Sequence, residues 1–452
     1  MSKKADLSQR PYVTTDPTDS AKVSRRQNLK SLFTTVVFLC VLAILVFFSH
    51  SLIKKQNLIS PLHSDDDLVN QPELVGFDQL TQNQLLLEKM ANKNLSRQKV
   101  IYGFLPYWNI SSDLQLHSAL TDLNYFRLLV GENGYLIKEN NAEASEIGWQ
   151  RLNNETWQNL ANNWQQGSPN PYDRRLALTV FLDDSTVLSK VLNDESLRDN
   201  LVSDLNIFLS QNQQFSEINL DFEYFGVSDE NLRLGMNDLL AKLRLLIATN
   251  HPKVRLTIDV FGKSAERSSG LYDWQAVKEY VDYVILMAYD YKTRSSSQPG
   301  PVAPTLGAAV WGGNDVMTSL NLLLQKIPPY QVLLGIPFYG YQWQVTSLDI
   351  HEARTYPETG ETVSYRRVRD LLAKAQENSI TTSWDGDSLT PYLSYTKEDN
   401  TKYLLFYEDD RSLQYKLDLV KDMNLGGIAI WALGYEGQTE ELWNVIDKFK
   451  KQ

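Results

Sequence analysis

Glu217, Asn219, Asp221 and Glu223 alternate with Ile218, Leu220 and Phe222. In a β-strand, alternate side chains face opposite sides. One face of this stretch would pack on an apolar layer, and the other would present an amide and two carboxylates in a row, Asn219, Asp221 and Glu223. An ordinary strand with a solvent face has the same pattern, so the alternation alone leaves both readings open. As chemistry, two carboxyls two residues apart on one face lie close together, and like charges so placed push one pKa up. A carboxylic acid kept protonated can protonate a leaving oxygen, while its neighbour stabilises or orients the attacking group. Cleavage of a glycosidic bond needs that pair.

Aromatic and polar residues at other apolar runs could serve the same site. Met287, Tyr289 and Asp290 end one run, Tyr339 and Trp431 lie at the ends of two more, and Trp108 follows a fourth. Flat aromatic faces hold the apolar faces of sugar rings, and tyrosine hydroxyls add hydrogen bonds. Each of these aromatics could equally be packing.

These residues need a scaffold that brings strand ends together. The chain has 452 residues, one cysteine (Cys40) and a formal net charge of −11. The charge disfavours nucleic acid, which requires a basic footprint. A lone cysteine forms no intramolecular disulfide. His50, His63, His117, His251 and His351 are scattered without metal-ligand spacing, so no metal is expected. No phosphate-binding loop or glycine-rich dinucleotide fingerprint occurs, so no cofactor is expected either.

From Lys99 onward, short apolar or alternating runs are separated by helical patterns. Strands are expected at 100–105, 123–130, 176–182, 217–223, 254–261, 283–289, 332–339 and 427–433. Helices are expected at 154–165, 186–211 (broken near 193–195), 229–249, 273–280, 315–326, 411–424 and 440–450. Strand and helix in alternation to a count of eight predict an α/β fold, a (β/α)8 barrel spanning 99–452. A doubly wound open sheet is the competing architecture. The interval 342–407 breaks the rhythm and reads as a small α+β insertion after the seventh strand, with a helix at 364–376. A barrel would gather the strand ends, and therefore the carboxyls and aromatics, on one rim.

Ahead of the barrel, residues 1–30 read as a disordered polar tail. Residues 31–53 carry no charge and are long enough for a transmembrane helix across a hydrocarbon layer of roughly 30 Å. A cleaved signal peptide is the alternative, although no A-x-A-like site follows the run. Lys22, Arg25, Arg26 and Lys30 precede the span, while Lys54, Lys55 and an acidic run follow it. That bias places the N-terminus in the cytoplasm and the barrel outside a cell membrane crossed once. Residues 54–98 read as a stalk or linker.

In the strand beginning at Glu217 the chain resembles glycoside hydrolase family 18, the chitinase-like family. The family signature D-G-x-D-x-D-x-E reads here from Ser216 to Glu223, with Asp221 and Glu223 kept. Its M-x-Y-D is met by Met287, Tyr289 and Asp290, its G-x-P-x-Y-G by Gly335, Pro337, Tyr339 and Gly340, and its G-G-x-x-x-W by Gly426, Gly427 and Trp431. The resemblance implies retaining hydrolysis assisted by the substrate's own acetamido oxygen. Glu223 would be the general acid, with Asp221 and Tyr289 holding the acetamido group. Asn219, Met287, Asp290, Trp431, Tyr339 and Trp108 would line the substrate. The implied partner is an N-acetylated polysaccharide, chitin or peptidoglycan. A non-catalytic, lectin-like member is the alternative, although such members usually lack the acid.

The departures lie in the signature itself. Asn219 stands where the family has an Asp that shares a proton with its neighbour, and it could still hydrogen-bond Asp221. Ser216 and Glu217 replace Asp and Gly. Thr179 to Asp184 stand where chitinases carry S-x-G-G, a pattern more like the bacterial cell-wall and spore-associated branch. Asp183, Asp184 and Asp259 could reach the rim, or could be a helix cap and a buried hydrogen-bonding partner.

Overall fold

The computed structural model describes residues 99–139, 146–167, 174–226, 228–266, 270–376 and 379–451. The expected tail, transmembrane helix and stalk lie outside the described residues. Among the described residues no helix is long and apolar enough to cross a membrane.

Eight parallel strands close into a barrel: β1 (Val100–Pro106), β2 (Asp122–Leu129), β3 (Arg175–Leu182), β4 (Phe215–Phe222), β5 (Arg255–Phe261), β6 (Tyr283–Met287), β7 (Val332–Pro337) and, after an insertion, β13 (Gly427–Trp431). Strand β13 pairs with β1 and β7, so no open edge remains. The helices are α1 (Ile147–Leu152), α2 (Glu155–Gln166), α3 (Ser185–Asn193), α4 (Glu195–Gln211), α5 (Glu230–Asn250), α6 (Trp274–Tyr280), α7 (Ala308–Trp311) and α8 (Val316–Leu324). Two more, α10 (Asp410–Asp422) and α11 (Glu441–Lys450), flank β13, and α9 (Tyr365–Ala373) belongs to the insertion. The connection from β1 to β2 contains a single 3-10 turn, Tyr107–Asn109, in place of an α-helix.

The insertion is a five-stranded antiparallel sheet in the order β10-β11-β12-β8-β9. Its strands are β8 (Tyr339–Val345), β9 (Glu361–Ser364), β10 (Thr381–Asp385), β11 (Thr390–Thr396) and β12 (Lys402–Phe406). It starts at Tyr339, three residues before the expected boundary at 342, and the seventh barrel strand ends at Pro337 rather than 339. The chain passes from β7 through Phe338 into β8 with no turn signal between them, and only the change of pairing partner separates the two. Gly340 makes that passage possible: a Cβ there would stand 1.9 Å from the Phe406 carbonyl oxygen.

The strands sort their side chains by alternation. Ile218, Leu220 and Phe222 point outward into the main apolar core, which also holds Leu239, Leu243 and Met236 of α5. A second cluster fills the barrel interior with Val100, Tyr102, Phe104, Phe126, Ala177, Phe181, Tyr283, Ile285, Leu333 and Ala429. At the floor, the Arg255 guanidinium pairs with Glu217 and Asp122, all three largely buried. Burying acids is costly without such a partner.

Candidate active site

Strand β4 sends Glu217, Asn219 and Asp221 inward in succession, and Glu223 follows just past its end. Glu217 and Asn219 have no exposed surface, and Asp221 is 4% exposed. The Glu223 backbone N–H donates to the Leu182 carbonyl at 2.9 Å, which holds the residue at the rim although the strand has ended.

Beneath the rim lies a directional hydrogen-bond chain. Thr257 Oγ1 donates to Glu217 Oε1 at 3.0 Å, a carboxyl whose other oxygen pairs with Arg255. Having given away its proton, Thr257 can only accept from Asn219 Nδ2 (3.1 Å). The second Asn219 Nδ2 proton goes to Asp259 Oδ1 at 2.8 Å. Asn219 Oδ1 lies 2.8 Å from Thr179 Oγ1, which also approaches Asn124 Oδ1 at 2.8 Å. Both amide donors of Asn219 are thus committed to β5. The expected bond from Asn219 to Asp221 is not made, and Asp221 Oδ1 is buried with no hydrogen-bond partner. Nor can Asn219, expected among the substrate contacts, touch a ligand. It has no exposed surface, and its place is under the site.

Burial, then the nearby Asp183 and Asp290, push the Glu223 carboxyl up to about 7. Burial, then Asp259 and Glu223, hold Asp221 well above the ordinary carboxylate range. Burial keeps the Tyr289 phenol protonated and able to donate. Gly335 leaves room for Tyr289: a Cβ at 335 would lie 2.9 Å from the Tyr289 ring and 2.5 Å from the Leu286 carbonyl oxygen.

Asp290 has φ of 60°, in the left-handed region that Asp tolerates better than most residues. Its Oδ1 accepts from Tyr339 Oη at 2.5 Å and Tyr341 Oη at 2.9 Å. Tyr339 is buried, and its hydroxyl is directed to Asp290. Trp431 packs edge-on against Phe126 at 4.6 Å, and Phe126 meets Phe181 at 5.5 Å and Trp108 at 6.0 Å. Trp108 is 48% exposed, an indole face open at the rim. Met287 is buried at the end of β6.

Asp184 turns out to be a helix cap, accepting from the Thr186 and Val187 backbone N–H groups at the start of α3. Asp183 is exposed and faces Glu223. Asp259 is 2% exposed and belongs to the buried chain.

One residue escaped the sequence reading. Arg127 follows Phe126 where the pairing of β2 with β3 shifts register. Its guanidinium lies 4.0 Å over the Phe181 ring and pulls down the pKa values of both Asp221 and Glu223. Its Nε is buried without a hydrogen-bond partner. The signal available was a lone charge inside an otherwise apolar run, 125–130, which reads as a strand end facing solvent.

Among the described residues, His351, Asp385 and Asp387 form the one group with metal-ligand proximity. It lies in and beside the insertion, and Asp385 there already accepts from the Trp311 indole at 2.8 Å.

The arrangement is a proton-bearing carboxyl beside a second carboxyl and a phenol, above a lumen walled by aromatics. The model of glycosyl hydrolases family 18 matches residues 182–436. The uncharacterised glycosylase YvbX of Bacillus subtilis is 26% identical over 276 residues, covering 60% of this chain and 72% of that one. The cortical fragment-lytic enzyme of Bacillus subtilis is 27% identical over 250 residues, covering 54% of this chain and 52% of that one. Among solved structures, the class V chitinase from Nicotiana tobaccum superposes with a TM-score of 0.65 at 19% identity, over 78% of this chain and 99% of that one. At that identity the superposition speaks for the fold.

Proposed function

This chain belongs to the family 18 glycosyl hydrolases and is an O-glycosyl hydrolase, and we propose that it cleaves glycans containing N-acetylglucosamine with Glu223 as general acid. The observation that carries the proposal is the placement of Glu223. It stands at the rim with a pKa near 7, one alternate position from Asp221 and close to Tyr289. At neutral pH part of the population holds the proton that a leaving oxygen must receive. Asp221, with an unpartnered oxygen, and Tyr289, with a protonated phenol, are suited to hold a substrate acetamido group. That group would attack its own anomeric carbon, giving retention. Trp431 and Trp108 supply aromatic faces for sugar rings.

Within that class the reading favours peptidoglycan. The relatives include a cortical fragment-lytic enzyme, and Arg127 offers guanidinium donors at the rim with no ion pair among the described residues. Muramyl units and their peptides carry carboxylates, which match a guanidinium fork, whereas chitin carries none. The uncharged run 31–53 anchors the barrel outside a cell membrane in this reading, with the N-terminus cytoplasmic.

The test is release of reducing ends from chitooligosaccharides and from purified glycan strands, with Glu223→Gln alongside. The wild type should release them, and the variant should bind but lose about 10²–10⁴-fold in rate. A wild-type protein that binds glycan and releases nothing would be a glycan-binding member instead.

A further inference from the structure

Two buried carboxyls, Asp221 and Asp259, stand on neighbouring strands, and the Asn219 amide bonds only the second. Each lies one residue past the last paired positions, Leu220 and Ile258. Both point into the lumen, and neighbouring strands lie about 4.8 Å apart. Asp259 is held in place through Asn219 Nδ2, and that amide cannot turn over. Thr257 must accept from it because the Thr257 hydroxyl proton goes to Glu217. Asp221 is left with a buried, unpartnered Oδ1.

We infer that Asp259 is a positioning residue for the hydrolytic site: as the neighbouring carboxyl on β5 it carries the one proton that the pair can hold, so that Asp221 can meet the substrate as an anion. The acid that β4 lacks at position 219 is supplied from β5. This rests on the assignment of Asp221 and Glu223 to the reaction.

The charges around the pair leave room for one proton and little more. Glu217 and Asp122 below pair with Arg255, and Arg175 faces them as a second cation. Glu223 and Asp183 stand above, with Asp290 beside them after β6. Tyr102 from β1, Tyr272 from the β5–α6 connection and Tyr289 after β6 face the pair as neutral phenols. Arg127 is the cation that faces Asp221 and Glu223. Burial raises the pKa of both Asp221 and Asp259, and Asp259 contributes to the rise at Asp221. Two such sites lose their protons in steps that belong to the pair.

The experiment uses the full chain carrying Asp259→Asn, and separately the exchange Asn219→Asp with Asp259→Asn. Two readouts are taken: the pH dependence of kcat and KM on chitooligosaccharides, and the ¹³C titration of aspartate carboxyls, which needs no turnover. In Asp259→Asn, Asp221 titrates alone, so the acid limb of kcat and the Asp221 titration should both move down by about one pH unit or more, with KM held within about twofold. The exchange returns a carboxyl to β4 and should bring both back towards the wild-type positions. A folded Asp259→Asn protein whose Asp221 titration stays in place overturns the inference, whatever its rate. If that variant does not fold, the exchange decides: Asp221 titrating as in the wild type supports the inference, and titration in the ordinary carboxylate range overturns it. A wild-type protein with no turnover but a coupled Asp221 and Asp259 titration would defeat the proposed function and leave the pair standing.

Discussion

Glu223 shows a conflict between activity and stability within one side chain. Its folded pKa, near 7, lies above the ordinary value, so the native state binds more protons than the unfolded chain between about pH 4 and 7. The stability it contributes is complete below that window and is lost as pH rises through it. Glu223→Gln should therefore unfold at higher urea than the wild type at pH 8, by about 1–2 kcal/mol after allowing for solvent contact, with the difference vanishing near pH 4. Loss of the Glu223 proton should also set the alkaline limb of kcat near pH 7. Arg127 tests the substrate class. Arg127→Gln should lower kcat/KM on peptidoglycan strands by about tenfold or more, and on uncharged chitooligosaccharides by clearly less. Equal losses on both would leave Arg127 as a counter-charge to Asp221 and Glu223. The acid pair was legible because period-two alternation put Asp221 and Glu223 on one face. Arg127 was not, because a register shift between β2 and β3 decides where its side chain points.

At the scale of the element, helix positions were read well and boundaries less so. The sequence pattern starts three helices at Asp229, Asp273 and Asp315, and each of these residues is the cap, accepting from the backbone N–H of Leu232, Gln275 and Thr318 respectively. A cap residue precedes the helix it stabilises, so a sequence start falls one residue early. The break expected near 193–195 falls at Asp194, which ends α3 and caps α4. The sequence pattern runs β7 into the start of β8 because one residue, Phe338, separates them and the partners of β8, β9 and β12, lie elsewhere in the chain. Strand β4 depends on its floor. Arg255→Met would leave Glu217 and Asp122 buried together without the cation they bond, Arg175 being nearby but unbonded to them, and should destabilise the protein by about 3–5 kcal/mol at neutral pH. The loss should shrink at acid pH, where the two carboxyls can take up protons. Chemical denaturation at pH 7 and pH 4.5 measures both.

For the molecule as a whole, closure of the barrel and attachment of the insertion are separate matters. The insertion is tied down where Asp385 of β10 accepts from the Trp311 indole of α7 at 2.8 Å and the Thr305 backbone N–H donates to the Ser388 carbonyl at 2.9 Å. The proposed N-terminal anchor belongs to this scale too. The protein should stay in the membrane pellet after a carbonate wash, and recovery of a soluble form trimmed near residue 51 would mean a signal peptide instead. By itself the sequence determined the eightfold alternation, the place of the insertion and the acids at 221 and 223. Each of these follows from local periodicity, which depends on neighbours a few residues away. Only the tertiary structure decided that the Asn219 amide faces Asp259 and leaves Asp221 free, and that Arg127 lies over Phe181 beside the acids. Those contacts depend on the register between strands forty residues apart along the chain for Asn219 and Asp259, and further apart for Arg127 and Phe181. No local pattern carries that register, because it is set when the sheet closes on itself.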